Sequence, residues 1–316
     1  MMWQIKNWSE LERDDLHALL RLRTDVFVVE QDCPYPELDG KDMHSVHVWA
    51  ASEAEASGAP AAACARVVLA PGDVPKIGRV AIAQQHRGSG LGQTLMLHAL
   101  HATRAASGRT PIHISAQSHL QDFYGHFGFV SVGEGYLEDG IPHQAMERPA
   151  DPLEAWGAAL DHALQALFGL SAVQGAAGRW GTGETLRHLT LVAQGVGAAM
   201  GRQRPSEVGR PLQTAHHAAA AALIGAMASP RTFRVPEGLP LPAMGEEAPE
   251  DRPALLAALK QCRDGIRSWS AGDWSATAFR HPAVGWIGGE DVLAFLTFHI
   301  LHHRRILQRQ GAAKND

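Results

Sequence analysis

The chain has little cysteine: Cys33, Cys64 and Cys262 are the three it contains in 316 residues, and no two of them stand in a Cys-x-x-Cys spacing. A framework of paired disulfides is therefore excluded. Nothing reads as a signal peptide, and no apolar run approaches the roughly 20 residues that a membrane-spanning helix needs. These absences predict a soluble protein of a reducing compartment, a bacterial cytoplasm, with no membrane partner. Repeats of fixed period and runs of like charge are also lacking.

What is present is unevenly spread. Residues 1-150 hold 12 Lys and Arg against 18 Asp and Glu, while residues 151-316 hold 16 against 15, for a net charge of −5. An acidic first half argues against nucleic acid as a partner and favours a cationic ligand such as an amine, although the same charges would also serve as an ordinary solvated surface. At roughly 150 residues per domain, the length predicts two domains.

Two patterns divide the chain near residue 150. The first half mixes helical and strand periods. Asp14 to Gln31 has apolar residues at helical spacing behind a potential cap at Asp14, and "HSVHVWAA" (His44 to Ala51), "AAACARVVLA" (Ala61 to Ala70), "KIGRVAIA" and "PIHISAQ" read as strands. Glycines and a helix to about Ala106 follow the third strand; "HLQDFYGHF" is a short helix, and Asp139-Gly140 in "LEDGIPH" is a hairpin turn. After "PADP" the period becomes 3.6, over Pro152 to Leu170, Glu184 to Met200, Thr214 to Ala228, Arg252 to Trp269 and Glu290 to Gln310. "SPRTFRVPEGLPLPAMGEEAPEDRP" reads as a crossover between helices, so the second domain, 151-316, is expected to be an all-α four-helix bundle.

The densest signal is "VAIAQQHRGSGLGQTLMLHAL", where a strand gives way to Gly88, Gly90 and Gly92 and then to a helix. Unsatisfied N-H groups and the dipole at a helix N-terminus favour an anion, and glycines let a pyrophosphate approach the backbone. No Gly-Lys-Ser/Thr follows, so this is not a Walker loop. It occurs too late in its domain, and lacks the acidic residue about 20 positions on, to be a dinucleotide fingerprint. Taken alone it would also suit a plain tight turn.

In "LRTDVFVVEQDCPYPELDGKD", "GRVAIAQQHRGSGLGQTLM", "SAQSHLQDFYGHFGF" and "VGEGYLEDGIPHQAM" the chain resembles the ElaA-type branch of the GCN5-related N-acetyltransferases, over residues 1 to 148. The resemblance implies an α/β (α+β) acyl-CoA N-acyltransferase fold with a mixed central sheet, acetyl-CoA as cofactor, and a small-molecule or peptide amine as substrate. It implies that the backbone of Val80, Ala81 and Ile82 holds the pantetheine arm and that Arg87, Gly88, Ser89, Gly90, Leu91 and Gly92 take the pyrophosphate. Tyr124 would be the general acid, since a phenol of pKa about 10 can protonate a departing thiolate; the alternative is a ring packed beside Phe123 and Phe127 with its hydroxyl hydrogen-bonded. Glu30, Asp39, His44, His47, Glu134 and His143 are the candidates for general base, beside an ordered water. Glu30 ranks first on the expectation that burial after "VFVV" raises its pKa. Cys33 lacks a nearby cation or helix N-terminus that would make it a nucleophile.

The last helix of the second half places His299 and His303 near the centre of a stripe formed by Val292, Phe295, Leu296, Ile300, Ile306 and Leu307. His302 falls at its margin, and Glu290, Thr297, Arg304, Arg305 and Gln308 fall opposite. Two imidazoles at i and i+4 can share a metal. This half resembles the DinB/YfiT-like bundle superfamily, more closely the DUF1569 type, through "GRWGTGETLRHL" and "HPAVGWIGGEDVLAFLTFHILHHRRIL". That resemblance maps metal ligands onto His188, His299 and His303, with zinc, nickel, manganese or iron as the divalent ion; one of His216 and His217 is a reserve ligand. Core histidines with polar partners are the alternative.

The expected function is acetyl-CoA-dependent N-acetyl transfer to an amine by direct attack. Two further readings stay open. In one, the bundle is a metal-dependent, thiol-linked transferase or hydrolase and the first half is an acyl-CoA-binding module. In the other, the bundle is a non-catalytic partner-binding domain or the seat of a homodimer.

Overall fold

The computed structural model describes residues 1–51, 60–175, 179–229, 241–245 and 247–312. The chain separates into two compact units, the first built on Met1–Ala155 with Ala228 and Ser229, the second on Trp156–Met227 and the described residues from 241 onward. The turn between the first and second strands of the sequence reading, at residues 52–59, and residues 230–240 and 246 of the Pro/Gly-rich crossover lie outside the described residues.

The first unit starts with β1 (Met2–Asn7) and α1 (Arg13–Arg23). Glu12 rather than Asp14 precedes the helix, its backbone N-H donating to the Asp15 carboxylate at 3.1 Å. The single helix expected to Gln31 changes at Thr24 into a π-helical stretch, Thr24–Glu30. Thr24, Val26, Val28 and Val29 are β-branched and crowd an α-helical turn, so the wider coil relieves them. β2 (Ser45–Ala51), β3 (Ala63–Val68) and β4 (Lys76–Ile82) follow, then α2 (Leu91–Ser107), β5 (Ile112–Gln117), α3 (Gln121–Gly125), β6 (Val130–Ser131), β7 (Tyr136–Glu138) and β8 (Ile141–Arg148). Asp139 (φ 49°) and Gly140 (φ 79°) make the β7–β8 turn that their sequence predicts, two left-handed residues matching the strand twist.

The sheet runs β1-β2-β3-β4-β5-β8-β6, with β7 also paired to β8. All pairs are antiparallel except β4 and β5, which are parallel and meet only at Lys76↔His113. Beyond that point the two strands part, and the opening positions the site. Leu95, Met96, Leu97 and Leu100 of α2 are fully buried, each such side chain contributing about 1.5–3 kcal/mol. On α1, Leu19, Leu22 and the following Val26 pack with Trp49, Cys64 and Ala81.

One part of this interior is ionic. Buried Arg23 pairs with Glu37 and, at 2.7 Å, with Asp42, while Arg66 forks onto Asp39 with both contacts at 2.7 Å and also reaches Asp42 at 3.2 Å. Hydrogen bonds of this kind offset the cost of burying charge only when the geometry is complete. The cluster is drawn from the "PELDGKD" loop, and His47 joins it through the Asp42 carbonyl at 3.2 Å.

The second unit contains α4 (Pro152–Phe168), α5 (Thr182–Met200), α6 (Pro205–Val208), α7 (Thr214–Ala228), α8 (Asp251–Ile266), α9 (Ala271–Trp274), a hairpin of β9 (Thr277–His281) with β10 (Gly285–Gly288), and α10 (Gly289–Ala312). The unit is helical as expected, with two corrections. An antiparallel hairpin stands immediately before α10, so it is not all-α: β9 and β10 pair with Phe279 opposite Ile287. Among the described residues, five helices have 15 to 24 residues, one on each of the five segments of helical period, so the bundle is not limited to four. Thr297, expected on an outer face, is fully buried and donates to the Leu293 carbonyl at 3.0 Å, because α10 is enclosed on nearly every side from Asp291 to Phe298. No helix among the described residues is long and apolar enough to cross a membrane.

Candidate functional site

A cavity of about 1370 Å³ occupies the opening between β4 and β5. At one end stands the glycine loop. Gly88 (φ 71°) and Gly90 (φ 89°) adopt left-handed conformations, which turn the chain into the N-terminus of α2 at Leu91. The first N-H groups of that helix have no partner within it and present positive potential there. Of the loop residues expected to take a pyrophosphate, Arg87, Gly88, Gly90 and Gly92 line the cavity. Ser89 and Leu91 do not: the Ser89 hydroxyl turns back to donate to the His86 carbonyl at 2.6 Å, and Leu91 begins the helix.

Val80, Ala81 and Ile82 form one wall with Arg79. Here β4 bulges. Cys64 pairs with Ala81 and Arg66 with Gly78, so Arg79 and Val80 both stand opposite Ala65. Arg79 has φ 51°, a conformation rarely adopted by residues with a side chain. Its Nε lies 2.9 Å from Glu37 and its Nη2 3.5 Å from Asp39, and its guanidinium sits 5.1 Å from the Tyr35 ring centre.

Tyr124 of α3 lines the cavity, its ring held edge-on by Phe123 and Phe129. Its hydroxyl makes no hydrogen bond among the described residues, and burial pushes its pKa well above the usual phenol value, so the proton stays on. The packing half of the alternative reading is present, but the hydroxyl partner is not.

Glu30 requires a correction. It is exposed, and Arg87 grips its carboxylate at two points, 2.7 Å each; the hydrogen bond from Arg87 holds the carboxyl below its ordinary range instead of burial raising it. The apolar run before it lies within the π-helical stretch, whose end faces outward. Arg87 is further tied by its Nε to the Ile82 carbonyl at 3.0 Å.

The other base candidates separate by geometry. His44, His47 and Glu134 are not among the residues that line the cavity. Asp39 lines it, but although burial opposes its charge, hydrogen bonds from Arg66 and from the Lys41 N-H keep its carboxyl well below the usual range. Cys33 also lines it, its thiol directed at the Asp139 carbonyl, 3.7 Å away. His143 remains. Its Nδ1 is 2.8 Å from the Ile141 carbonyl, which can only accept, so Nδ1 carries the hydrogen and Nε2 of the neutral ring keeps its lone pair.

Opposite β4 is a wall that the sequence reading passed over. His113, Ser115 and Gln117 alternate on the cavity face of β5, facing the same way as His143 and Glu147 of β8. The Ser115 hydroxyl donates to Glu138 at 2.7 Å and meets the Tyr136 hydroxyl at 2.6 Å; Tyr136 stacks on His143, and His113 lies 2.9 Å from Glu147. The period-2 pattern in "PIHISAQ" was the available signal. The lining residues from β5, β7, their turn and β8 include Glu138, Asp139 and Glu147 and neither Lys nor Arg.

In the second unit His188 of α5 meets His299 and His303 of α10. The Nε2 atoms of His188 and His303 lie 3.2 and 3.1 Å from Nε2 of His299. Trp180 packs against His188 and His303, and Phe295 stacks on His299. Burial lowers the pKa of all three, that of His188 to about 4. The reserve ligands are engaged elsewhere: His217 bonds Asp291 at 2.8 Å, and Nδ1 of His216 accepts from the Gln213 N-H. His302 bonds the Met227 carbonyl.

A strand pair splayed beside a glycine-lined helix N-terminus, with a protonated tyrosine in the opening, defines an acyl-CoA N-acyltransferase domain of the GNAT class. The family model for the Acetyltransferase (GNAT) domain matches residues 28–149. The chain belongs to the ElaA family: it is 41% identical to Protein ElaA of Escherichia coli over 152 residues, 46% of this chain and 95% of that protein. It is also 40% identical to a UPF0039 protein of Mycobacterium bovis over 148 residues, 45% of this chain and 90% of that one. Among solved structures, it is similar to an acyl-CoA N-acyltransferase from Pseudomonas aeruginosa (43% identity, TM-score 0.43, covering 47% of this chain and 99% of that one) and to E. coli ElaA (39%, 0.44, 47% and 99%). Residues 155–310 match a second family model, Protein of unknown function (DUF1569).

Proposed function

We propose that the first unit transfers an acetyl group from acetyl-CoA directly to an amine. The observation that carries this reading is the parting of β4 from β5 beyond Lys76↔His113, with the glycine loop at the opening and Tyr124 lining it. The residues fit acetyl-CoA. Gly88 and Gly90 leave room at the N-terminus of α2 for a pyrophosphate, and beyond Lys76 the β5 side of β4 has no strand partner among the described residues, an edge for a pantetheine arm on which Arg87 holds the Ile82 carbonyl. Acetyl-CoA supplies the activated thioester.

The chain's own groups then have distinct tasks. Nε2 of His143 accepts a proton from the attacking amine, directly or through a water; β4 N-H groups stabilise the oxyanion; Tyr124 protonates the departing thiolate. The raised pKa of Tyr124 suits this step, since the same burial raises that of a thiolate forming beside it. The carboxylates of Glu138 and Glu147, with no Lys or Arg on their wall, favour a cationic amine as acceptor. Isothermal titration with acetyl-CoA and a thiol-release assay over a panel of amines test the reading. Saturable binding with amine-dependent release supports it; no binding of acetyl-CoA overturns it.

A second reading concerns the other unit and rests on the convergence of His188, His299 and His303. Three imidazoles kept neutral by burial, with Nε2 of His299 3.2 Å from that of His188 and 3.1 Å from that of His303, suit zinc, nickel, manganese or iron, and these residues would hold the ion. Such an ion supplies Lewis acidity, or a bound water of lowered pKa, when present. Elemental mass spectrometry of the intact protein tests for it.

A further inference from the structure

Bulges that begin with a left-handed residue usually begin with glycine, because a Cβ is disfavoured there. In β4 the residue at that place is arginine, with glycine one position earlier at 78. A side chain has therefore been kept where it costs conformational energy, and its contacts show what offsets that cost. Arg79 is held from three directions by one loop: Glu37 at 2.9 Å, Asp39 at 3.5 Å, and the face of Tyr35. The loop is itself anchored, Glu37 by buried Arg23 and by the Tyr35 hydroxyl, Asp39 by the fork of Arg66. At the next strand, the Cys64 thiol points at the Arg79 carbonyl, 3.6 Å away.

We propose that Arg79 is a positioning residue: its ion pairs with Glu37 and Asp39 lock the bulge of β4 and so set the backbone of Val80 to Ile82 in the register that receives the pantetheine arm. The inference rests on the acetyl-CoA reading above. A bulge shifts the alternation of N-H and C=O groups along a strand by one residue. Because β4 has no strand partner on its cavity side beyond Lys76 among the described residues, that alternation decides which groups face the cofactor. The ionic cluster thus acts on the cofactor through backbone geometry.

The test separates the two halves of the cofactor. CoA would engage both the glycine loop and β4, whereas 3′-phospho-ADP would engage the loop alone. In the full-length protein Arg79→Ala should weaken CoA binding about tenfold, the loss of roughly one or two hydrogen bonds, and leave 3′-phospho-ADP binding unchanged. Arg79→Gly should bring CoA affinity back to within about threefold of wild type, because glycine adopts φ 51° without a clamp. If Arg79→Ala does not fold, Arg79→Lys replaces it, with a smaller loss expected for CoA alone, since lysine keeps the charge but not the fork. Equal losses for both ligands, no loss for either, or no rescue by glycine would each overturn the proposal. Failure of the wild-type protein to bind either ligand would instead overturn the acetyl-CoA reading.

Discussion

Arg87 and Glu30, 57 positions apart, form a two-point ion pair with both contacts at 2.7 Å, at the mouth of the glycine loop. Each is about 40% exposed, so the pair is worth at most about 1 kcal/mol, yet it engages a cation that an incoming pyrophosphate would use. Glu30→Gln should therefore tighten 3′-phospho-ADP binding by about two- to fivefold at low salt, by releasing Arg87. Titration calorimetry decides it; weaker binding would mean that Glu30 orders Arg87 for its ligand.

Tyr124→Phe removes one oxygen that has no hydrogen-bond partner among the described residues. The melting temperature should change little, the Kd for acetyl-CoA should hold, and kcat should fall by about 10²–10⁴. An unchanged kcat would dismiss Tyr124 as the proton donor.

Glu138→Gln and Glu147→Gln keep the shape of the β5–β7–β8 wall and reduce its charge. Both should raise KM for a dicationic acceptor by about three- to tenfold while KM for acetyl-CoA stays constant. Equal effects on a neutral-tailed amine would show that charge does not select the acceptor.

For the histidine cluster, the intact protein should carry close to one divalent ion per chain, and His299→Ala should lose it, because two remaining imidazoles hold an ion far more weakly. Elemental mass spectrometry, before and after supplying zinc, nickel, manganese and iron, gives the answer. A metal-free wild type would make these three residues core histidines.

Asp273 supplies a pH dependence in the second unit. Burial opposes its charge, but hydrogen bonds from Ser206 and Ser270 outweigh that and hold the carboxyl at about 2, below the 3.8 of a free aspartate. A depressed folded-state pKa contributes stability that is complete above about pH 4 and disappears as pH falls towards 2. Asp273→Asn should lower stability by about 2 kcal/mol at pH 7 and flatten its decline between pH 4 and 2, read by denaturant titration across that range.

Much of this protein is legible as one-dimensional pattern. The strands β2 to β5, the glycine turn into α2, the Asp139-Gly140 hairpin and the helical period after Pro152 all follow from local rules of spacing, branching and backbone freedom, which act within a few residues. So does the inward direction of His299 and His303, one helical turn apart. β1 and the β9–β10 hairpin escaped because short strands of mixed polarity become strands only when a neighbour supplies the ladder.

Electrostatic partnership was decided in three dimensions. Glu30 follows an apolar run and reads as a buried base, but the π-helical stretch turns it outward and the loop brings Arg87 to it. His188 and His299 stand 111 residues apart, and only the packing of α5 against α10 brings their Nε2 atoms within 3.2 Å. Arg79 reads as one polar residue in a strand until the loop carrying Glu37 and Asp39 folds over it. Sequence spacing determines which residue types share a face, because backbone periodicity is local; charge, protonation and ligand geometry depend on atoms a few ångströms apart, and those distances exist only once distant segments have packed.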